Sequence, residues 1–249
     1  MERFDARWIG SGRTDMPRKS IAVVAAMQRE LDPLLAGVRR TQSNGVEFFE
    51  LENAVVAVGG IGRGPARKAA ETAIANYRPS LVVSAGIAGA LSAALKVGDV
   101  VHAREVVDAD SAARFVASDG ESVVATTASV SGPAEKRMIA ERWKADVIDM
   151  EAAEVAAVAQ GHRIEFAAVK AISDELDFVM PPVGRFVDSS GKFETVRFAA
   201  YVAVRPRWWS AVRQLNANSR LAAMNLSEAV RHLIDQRSVT ALEEKISGT

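Results

Sequence analysis

Two short acidic signatures stand 23 positions apart in this chain, Asp149-Met150-Glu151 and Ile172-Ser173-Asp174. The first heads an Ala-rich stretch with helical spacing, and the second closes an apolar run of strand character. A carboxylate on a solvated surface calls for no special account. One that closes a buried strand can act as an acid, because burial disfavours its charged form. A third carboxylate, Glu30, lies just past the first apolar run, in Ala26-Met27-Gln28-Arg29-Glu30. Taken singly, each has an ordinary reading. Glu30 fits a solvated helix, Asp174 a helix N-cap, and Glu151 a favourable charge in a first helical turn. Taken together, carboxylates in differently solvated places can hold different protonation states, which acid-assisted bond cleavage needs.

The elements that must position these groups alternate between strand and helix. Residues 21–26 read as a buried strand and 28–38 as the helix after it. Residues 47–51 and 54–58 suggest a strand pair. A helix is expected over 65–77, stopped by Pro79, and a buried strand over 81–84. Strand material follows over 97–108, a helix over 133–143, a strand over 145–149, a helix over 151–160 and a strand over 165–172. A last helix runs over about 215–235, with Leu221, Met224, Leu226, Val230, Leu233 and Ile234 at helical spacing. Buried strands alternating with helices predict an α/β fold with a parallel-rich sheet covered on both faces. The expected organisation is a lead at 1–19, one domain over 20–236 and a loose tail at 237–249.

Two glycine segments sit at strand ends. Gly59-Gly60-Ile61-Gly62-Arg63-Gly64 resembles a dinucleotide fingerprint only loosely. Its spacing is wrong, and no Asp or Glu stands near position 81, where a ribose-binding carboxylate is expected. Ser84-Ala85-Gly86-Ile87-Ala88-Gly89-Ala90 either lets a ligand approach the backbone or lets elements pack closely.

Composition narrows the classes. The 249 residues suffice for one large core, and 31 basic residues balance 31 acidic ones, so net charge gives no argument for nucleic acid as a partner. With no cysteine, disulfides and thiolate metal sites are excluded. His102, His162 and His232 have no metal-ligand spacing, so no metal is expected. No apolar run reaches the ~18 residues of a spanning helix. The first residues show no apolar signal-peptide core, and the expected location is the cytoplasm.

The order of the pieces is more specific than any one of them. AMQRE after the first strand, GGIGRG, SAGIAGAL followed by KVGD, IDMEAAEVA and VKAISD together resemble the nucleoside phosphorylase/nucleosidase superfamily. The likeness to 5′-methylthioadenosine/S-adenosylhomocysteine nucleosidases is the strongest. It spans about 21–177 and resumes near 218–233. The resemblance implies a single α/β domain around a central mixed, partly barrel-like sheet, in a homodimer or larger homo-oligomer. It implies that Asp174 protonates N7 of the leaving purine and that Glu30 orients or deprotonates the attacking water. Glu151 would hold the ribose hydroxyls, with Met150 against the sugar and Ser173 beside the acid. Ile61, Gly86 and Ile87 would line the sugar and base pocket. No cofactor is implied, apart from phosphate as co-substrate if the reaction is phosphorolysis.

Water and phosphate remain the two possible nucleophiles. Superfamily phosphorylases hold phosphate with arginines and a serine near these strand ends. This chain has Ser84 and Ile87 at the second strand end, and Glu30 at the first would repel phosphate. Arg29 and Arg63 are near in sequence and leave an unusual phosphate site open. The chain also carries about twenty extra residues after Asp174. This inserted segment, about 178–212, is rich in Phe178, Met180, Phe186, Phe193, Phe198, Tyr201, Trp208 and Trp209. It reads as an element packed on the core or a dimer interface, as a cover for an apolar 5′ group of the nucleoside, or as a peripheral membrane contact through 197–212 at the inner membrane face. The pattern Met180-Pro181-Pro182, Val187-Asp188, Gly191-Lys192-Phe193 resembles the hopanoid-associated branch, which implies an adenosyl-linked triterpenoid substrate. A non-catalytic nucleoside-binding module is the rival from another class.

Overall fold

A computed structural model describes residues 19–118, 120–188 and 190–247, with side chains to Val239. The expected lead at 1–19 lies outside the described residues except for Lys19, whose ammonium donates to the Leu51 carbonyl at 2.6 Å.

The first apolar run forms β1, Ile21–Ala25, buried at every position. The helix expected over 28–38 is broken into a 3-10 turn, Gln28–Glu30, and one α turn, α1, Asp32–Leu35. The reasons are local. Glu30 turns inward and its Oε2 accepts from the Met27 N–H at 3.0 Å. Pro33 sits in the first turn of α1, where its missing N–H costs nothing, and Gly37 at φ 76° lies just beyond it. Next comes a hairpin of β2, Arg40–Ser43, and β3, Val46–Glu50, whose first strand the sequence reading omits. Asn44 and Gly45 turn it with φ of 51° and 77°, the signature of a type I′ turn. β3 pairs antiparallel with β4, Ala54–Val58, as expected.

Helix α2, Arg63–Tyr77, ends at left-handed Arg78. β5, Leu81–Ala90, runs straight through the glycines expected to end it. β6, Val100–Asp108, is followed by two strands not foreseen, β7, Arg114–Val116, and β8, Ser122–Thr126. Helix α3, Pro133–Trp143, strand β9, Val147–Asp149, and helix α4, Ala152–Gly161, fall in the expected places. β10, Glu165–Asp174, extends past the expected end, so Asp174 is its last residue and not a helix N-cap. The inserted segment forms a 3-10 turn, Val183–Phe186, helix α5, Thr195–Ala203, and another 3-10 turn, Pro206–Trp208. Helix α6, Trp209–Ser247, starts before position 215, and where a loose tail is expected from 237 the chain is helical through Ser247.

β1 lies parallel to both β4 and β5, and β5 is parallel to β10. β10 pairs antiparallel with β6, β6 and β8 are parallel, β8 and β9 are parallel, and β9 returns antiparallel to β5. The path β5–β10–β6–β8–β9–β5 therefore closes on itself, and β1, β4, β3 and β2 extend from it as an open arm. This is the mixed, partly barrel-like α/β sheet that the resemblance implies.

Alternation along the strands sorts side chains between two cores. Ala22 and Val24 of β1 join the core under α2 and α4, with Ala69, Ala73, Val155 and Ala159. Ile21, Val23 and Ala25 join the core under α6, with Leu226, Val230 and Leu233. Within the arm, β3 is anchored by fully buried Phe48, whose ring lies 5.5 Å from that of Tyr77. Phe48→Ala is expected to lower stability by about 3–5 kcal/mol, read from urea unfolding, because it leaves a cavity between two rigid elements.

Candidate active site

Because β1, β4, β5 and β10 are parallel, their carboxyl ends share one edge of the sheet. In α/β sheets that edge is where ligands bind. Glu30 follows β1, the segment from Gly59 to Gly62 follows β4, and Asp174 closes β10. β9 runs the other way beside β5, and the chain turns at Asp149 into α4. That turn carries Glu151 to the β4 end, where its Oε1 accepts from the Gly62 N–H at 2.8 Å.

A buried polar group sits at the centre. Lys170 of β10 is the register partner of Gly86. Its ammonium lies 2.7 Å from Asp149 Oδ2 and donates to Ser84 Oγ at 3.0 Å. Asp149 is fully used. Its Oδ1 accepts from Thr126 Oγ1 at 2.6 Å, and its Oδ2 also accepts from the Ala152 N–H at 2.9 Å. Glu30 is buried against Gly86, and its Oε1 accepts from the Ile87 N–H at 3.5 Å. A side chain at position 86 would lie within 3.7 Å of both Glu30 Oε1 and Lys170 Nζ, so glycine here keeps room beside the charges.

These contacts set the titration of the two glutamates. Glu151 is pushed up to about 7, first by burial and then by the neighbouring Asp149 charge, while Lys170 and the Gly62 N–H oppose the rise. Glu30 is also raised, chiefly by burial, against the Met27 N–H and Lys170. Ile61, Ile87, Met150 and Glu151 are all only half-buried.

Asp174 stands apart from that cluster. Its register partner is Gly89, three residues beyond Gly86 and so about 10 Å further along β5. Asp174 is buried, as an acid at a strand end is expected to be. Its Oδ1 accepts from Ser173 Oγ at 2.8 Å, and its Oδ2 is held by the ammonium of Lys136 from α3. Lys136 is itself buried and also donates to the Glu175 carbonyl at 2.9 Å. A Cβ at Gly89 would come within 2.9 Å of Asp174 Oδ2 and 3.1 Å of Lys136 Cε, so this position has no room for a side chain.

The two arginines considered for phosphate are otherwise engaged. Arg63 makes a two-pronged pair with Asp108, at 2.6 and 3.0 Å, and reaches Asp110 at 3.0 Å and Glu154 at 3.4 Å. That bond holds Asp108 well below the usual carboxylate range. Arg29 is exposed and lies over the Phe193 ring at 5.7 Å.

Phe193 belongs to the inserted segment, which folds back onto the site. The Gly191 carbonyl accepts from the Ile61 N–H at 2.8 Å. A Cβ at Gly191 would meet the Ile61 carbonyl oxygen at 2.5 Å, so the two loops touch backbone to backbone. Behind the contact, Phe186, Phe193, Phe198 and Tyr201 form a ring cluster with centroids 5.3–5.4 Å apart. Two surface cavities of about 690 and 660 Å³ lie elsewhere, one against α3 and one beside Glu175 and Phe178. Neither is lined by Glu30, Glu151 or Asp174.

With this geometry in view, comparison with known proteins gives a class. The chain matches the model of the phosphorylase superfamily over residues 20–124 and 111–203, and it belongs to that superfamily. It is thereby an enzyme of the glycosidase or phosphorylase kind. Similar solved structures include a 5′-methylthioadenosine/S-adenosylhomocysteine nucleosidase from Helicobacter pylori with butyl-thio-DADMe-Immucillin-A. The identity is 20%, with 86% of this chain and 99% of that one covered and a TM-score of 0.63. The futalosine hydrolase of the same organism is 21% identical, with 86% and 98% covered and a TM-score of 0.63. A methylthioadenosine/S-adenosylhomocysteine nucleosidase from Colwellia psychrerythraea, in complex with adenine, is 18% identical, with 89% and 95% covered and a TM-score of 0.66. At these identities the likeness speaks for the fold.

Of the residues singled out from sequence, the structure gathers Glu30, Glu151, Met150, Gly86 and Ile87 around one cluster, with Ile61 at its edge. Asp174 and Ser173 sit together at Gly89. Lys136 and Lys170 were missed, and Asp149 and Gly89 stood in the sequence motifs without a role. Lys170 had a signal, a lone charge inside the apolar run 165–172. Lys136 had none, being one of several charges on a polar helix.

The raised glutamates give a stability prediction. A carboxyl whose folded pKa lies above its unfolded value of 4.5 opposes folding as pH climbs past that value, and the effect is complete above about 7. Glu151→Gln removes the opposition and keeps an acceptor for Gly62. The melting temperature of the variant relative to the parent is expected to rise between about pH 5 and about pH 8. An unchanged difference in calorimetry across that range counts against the assignment.

Proposed function

We propose that the protein cleaves the N-glycosidic bond of a purine nucleoside by hydrolysis, with a 5′-substituted adenosine as substrate and adenine as product. The observation that carries this reading is the division of buried carboxylates between two stations along β5. Glu30 stands at Gly86, close enough for its charge to act on Glu151, and Asp174 stands at Gly89. Bond cleavage places positive charge on the sugar and negative charge on the base. Carboxylates near the sugar stabilise the first, and a proton donor at the base neutralises the second.

In this scheme Glu151 accepts hydrogen bonds from the ribose hydroxyls, and Met150 packs against the sugar. Asp174 relays to N7 a proton that the Lys136 ammonium on its Oδ2 supplies. Water attacks C1′ as the C1′–N9 electron pair leaves with the base, and Glu30 takes the proton that the water sheds. One proton is consumed and one released. Water is favoured over phosphate because Glu30 and Glu151 would repel an anion and Arg63 is already matched by three carboxylates.

The finer reading concerns the 5′ group. The ring cluster of Phe186, Phe193, Phe198 and Tyr201 behind the Gly191–Ile61 contact supplies apolar surface, which suits a methylthio group or a larger apolar substituent such as an adenosyl-linked triterpenoid. The protein is read as a homodimer or larger homo-oligomer working in the cytoplasm.

The test offers purified protein 5′-methylthioadenosine, S-adenosylhomocysteine, inosine and an adenosyl lipid, with and without phosphate. Adenine release independent of phosphate is expected. Release only with phosphate assigns phosphorolysis, and no release from any nucleoside removes the reading. Asp174→Asn is expected to lower turnover at least about a hundredfold, and unchanged turnover refutes its role.

A further inference from the structure

Helix α5 is apolar on two sides. Phe198, Tyr201 and Val202 turn inward, half-buried, toward the ring cluster with Phe186. Val196, Ala199, Ala200 and Ala203 recur at the spacing of a second helical face, and Val204 continues it. All five are exposed, Val196 at 83% and Val204 at 73%. The apolar surface goes on through exposed Pro206 to Trp209, which is 49% exposed. A helix of nine residues with no buried side chain does not need a second apolar face to fold. Contiguous exposed apolar surface of this kind marks an interaction site.

Charge decides what fits it. The whole chain is neutral, yet residues 194–220 carry five arginines (197, 205, 207, 213 and 220), one carboxylate, Glu194, and no lysine. Arg197 is paired with Glu194, whereas Arg207 and Arg213 are exposed beside the apolar strip, with Arg207 5.4 Å from the centre of the Trp208 ring. The nearby carboxylates Glu175 and Asp177 are each paired with another cation, Lys96 and Arg137. A second copy of the chain meeting this face about a twofold axis would set arginines against arginines. A bilayer with anionic headgroups would instead take the valines and Trp209 into its interface and pair the arginines with phosphates.

We infer that the α5 face from Val196 to Trp209, flanked by Arg207 and Arg213, docks on an anionic lipid bilayer surface. It lies in the interface plane and does not span, since no described helix is long and apolar enough to cross a membrane. The inference does not depend on which nucleoside is cleaved.

The test is sedimentation of the full chain with phosphatidylcholine vesicles, with and without phosphatidylglycerol. Binding is expected only with the anionic lipid and is expected to fade in about 1 M salt. Trp209 fluorescence should shift to the blue on binding, and Trp209→Phe should remove that part of the shift. Val204→Asp and the double variant Arg207→Glu, Arg213→Glu are each expected to weaken binding at least about tenfold, with the circular dichroism spectrum unchanged. All these positions are solvent-facing, and the parent protein alone provides the decisive measurement. No binding to anionic vesicles overturns the inference. So does equal binding to neutral ones, or self-association of the parent that Val204→Asp abolishes, which would give the face to a second copy.

Discussion

A buried ammonium has to be matched where it stands, and in this fold the match between Lys170 and Asp149 constrains much else. Lys170 belongs to β10, Asp149 to β9, Ser84 to β5 and Thr126 to β8, so one polar group ties four of the five strands of the closed ring. Asp149 also accepts from the Ala152 N–H and so fixes where α4 begins. Removing one member of such a pair leaves an uncompensated charge in the core, which costs several kcal/mol. The pair also acts on the neighbouring glutamates. Asp149 raises Glu151, and Lys170 restrains both Glu151 and Glu30. The same contacts that close the sheet therefore tune the groups at its edge.

The glycines of β5 follow from that arrangement. Glycine is a poor strand former, but here the strand is held on both edges, by β1 and β10 along its first part and by β10 and β9 along its last. Pairing outweighs propensity. Gly89 is needed because the space a side chain would fill is taken by Asp174, Ile148 and Lys136, while at Gly86 a side chain would stand in contact with Glu30 and Lys170.

Much of this was legible in the sequence, for stated reasons. Fully apolar runs such as 21–25 and 165–172 announce strands buried on both faces, and an ordered set of motifs named the superfamily. What was missed depended on tertiary context. The β5 glycines look like a turn unless the strands on either side are known. The helix expected over 28–38 breaks for local reasons, but that Glu30 turns inward also depends on Ile87, far away in sequence. Asn44-Gly45 was a readable hairpin signal that was passed over. Lys136 could not be picked out, since only the packing of α3 against the end of β10 turns an ordinary helix lysine into the partner of Asp174.

The join between the inserted segment and the Gly60-Ile61 loop has a consequence for how such a protein can diverge. The two loops meet through a main-chain amide, a main-chain carbonyl and the bare Cα of Gly191. Nothing in that joint reads the identity of neighbouring side chains. Descendants of this chain can therefore exchange the aromatic residues of the segment one by one while the segment stays seated on the Gly60-Ile61 loop.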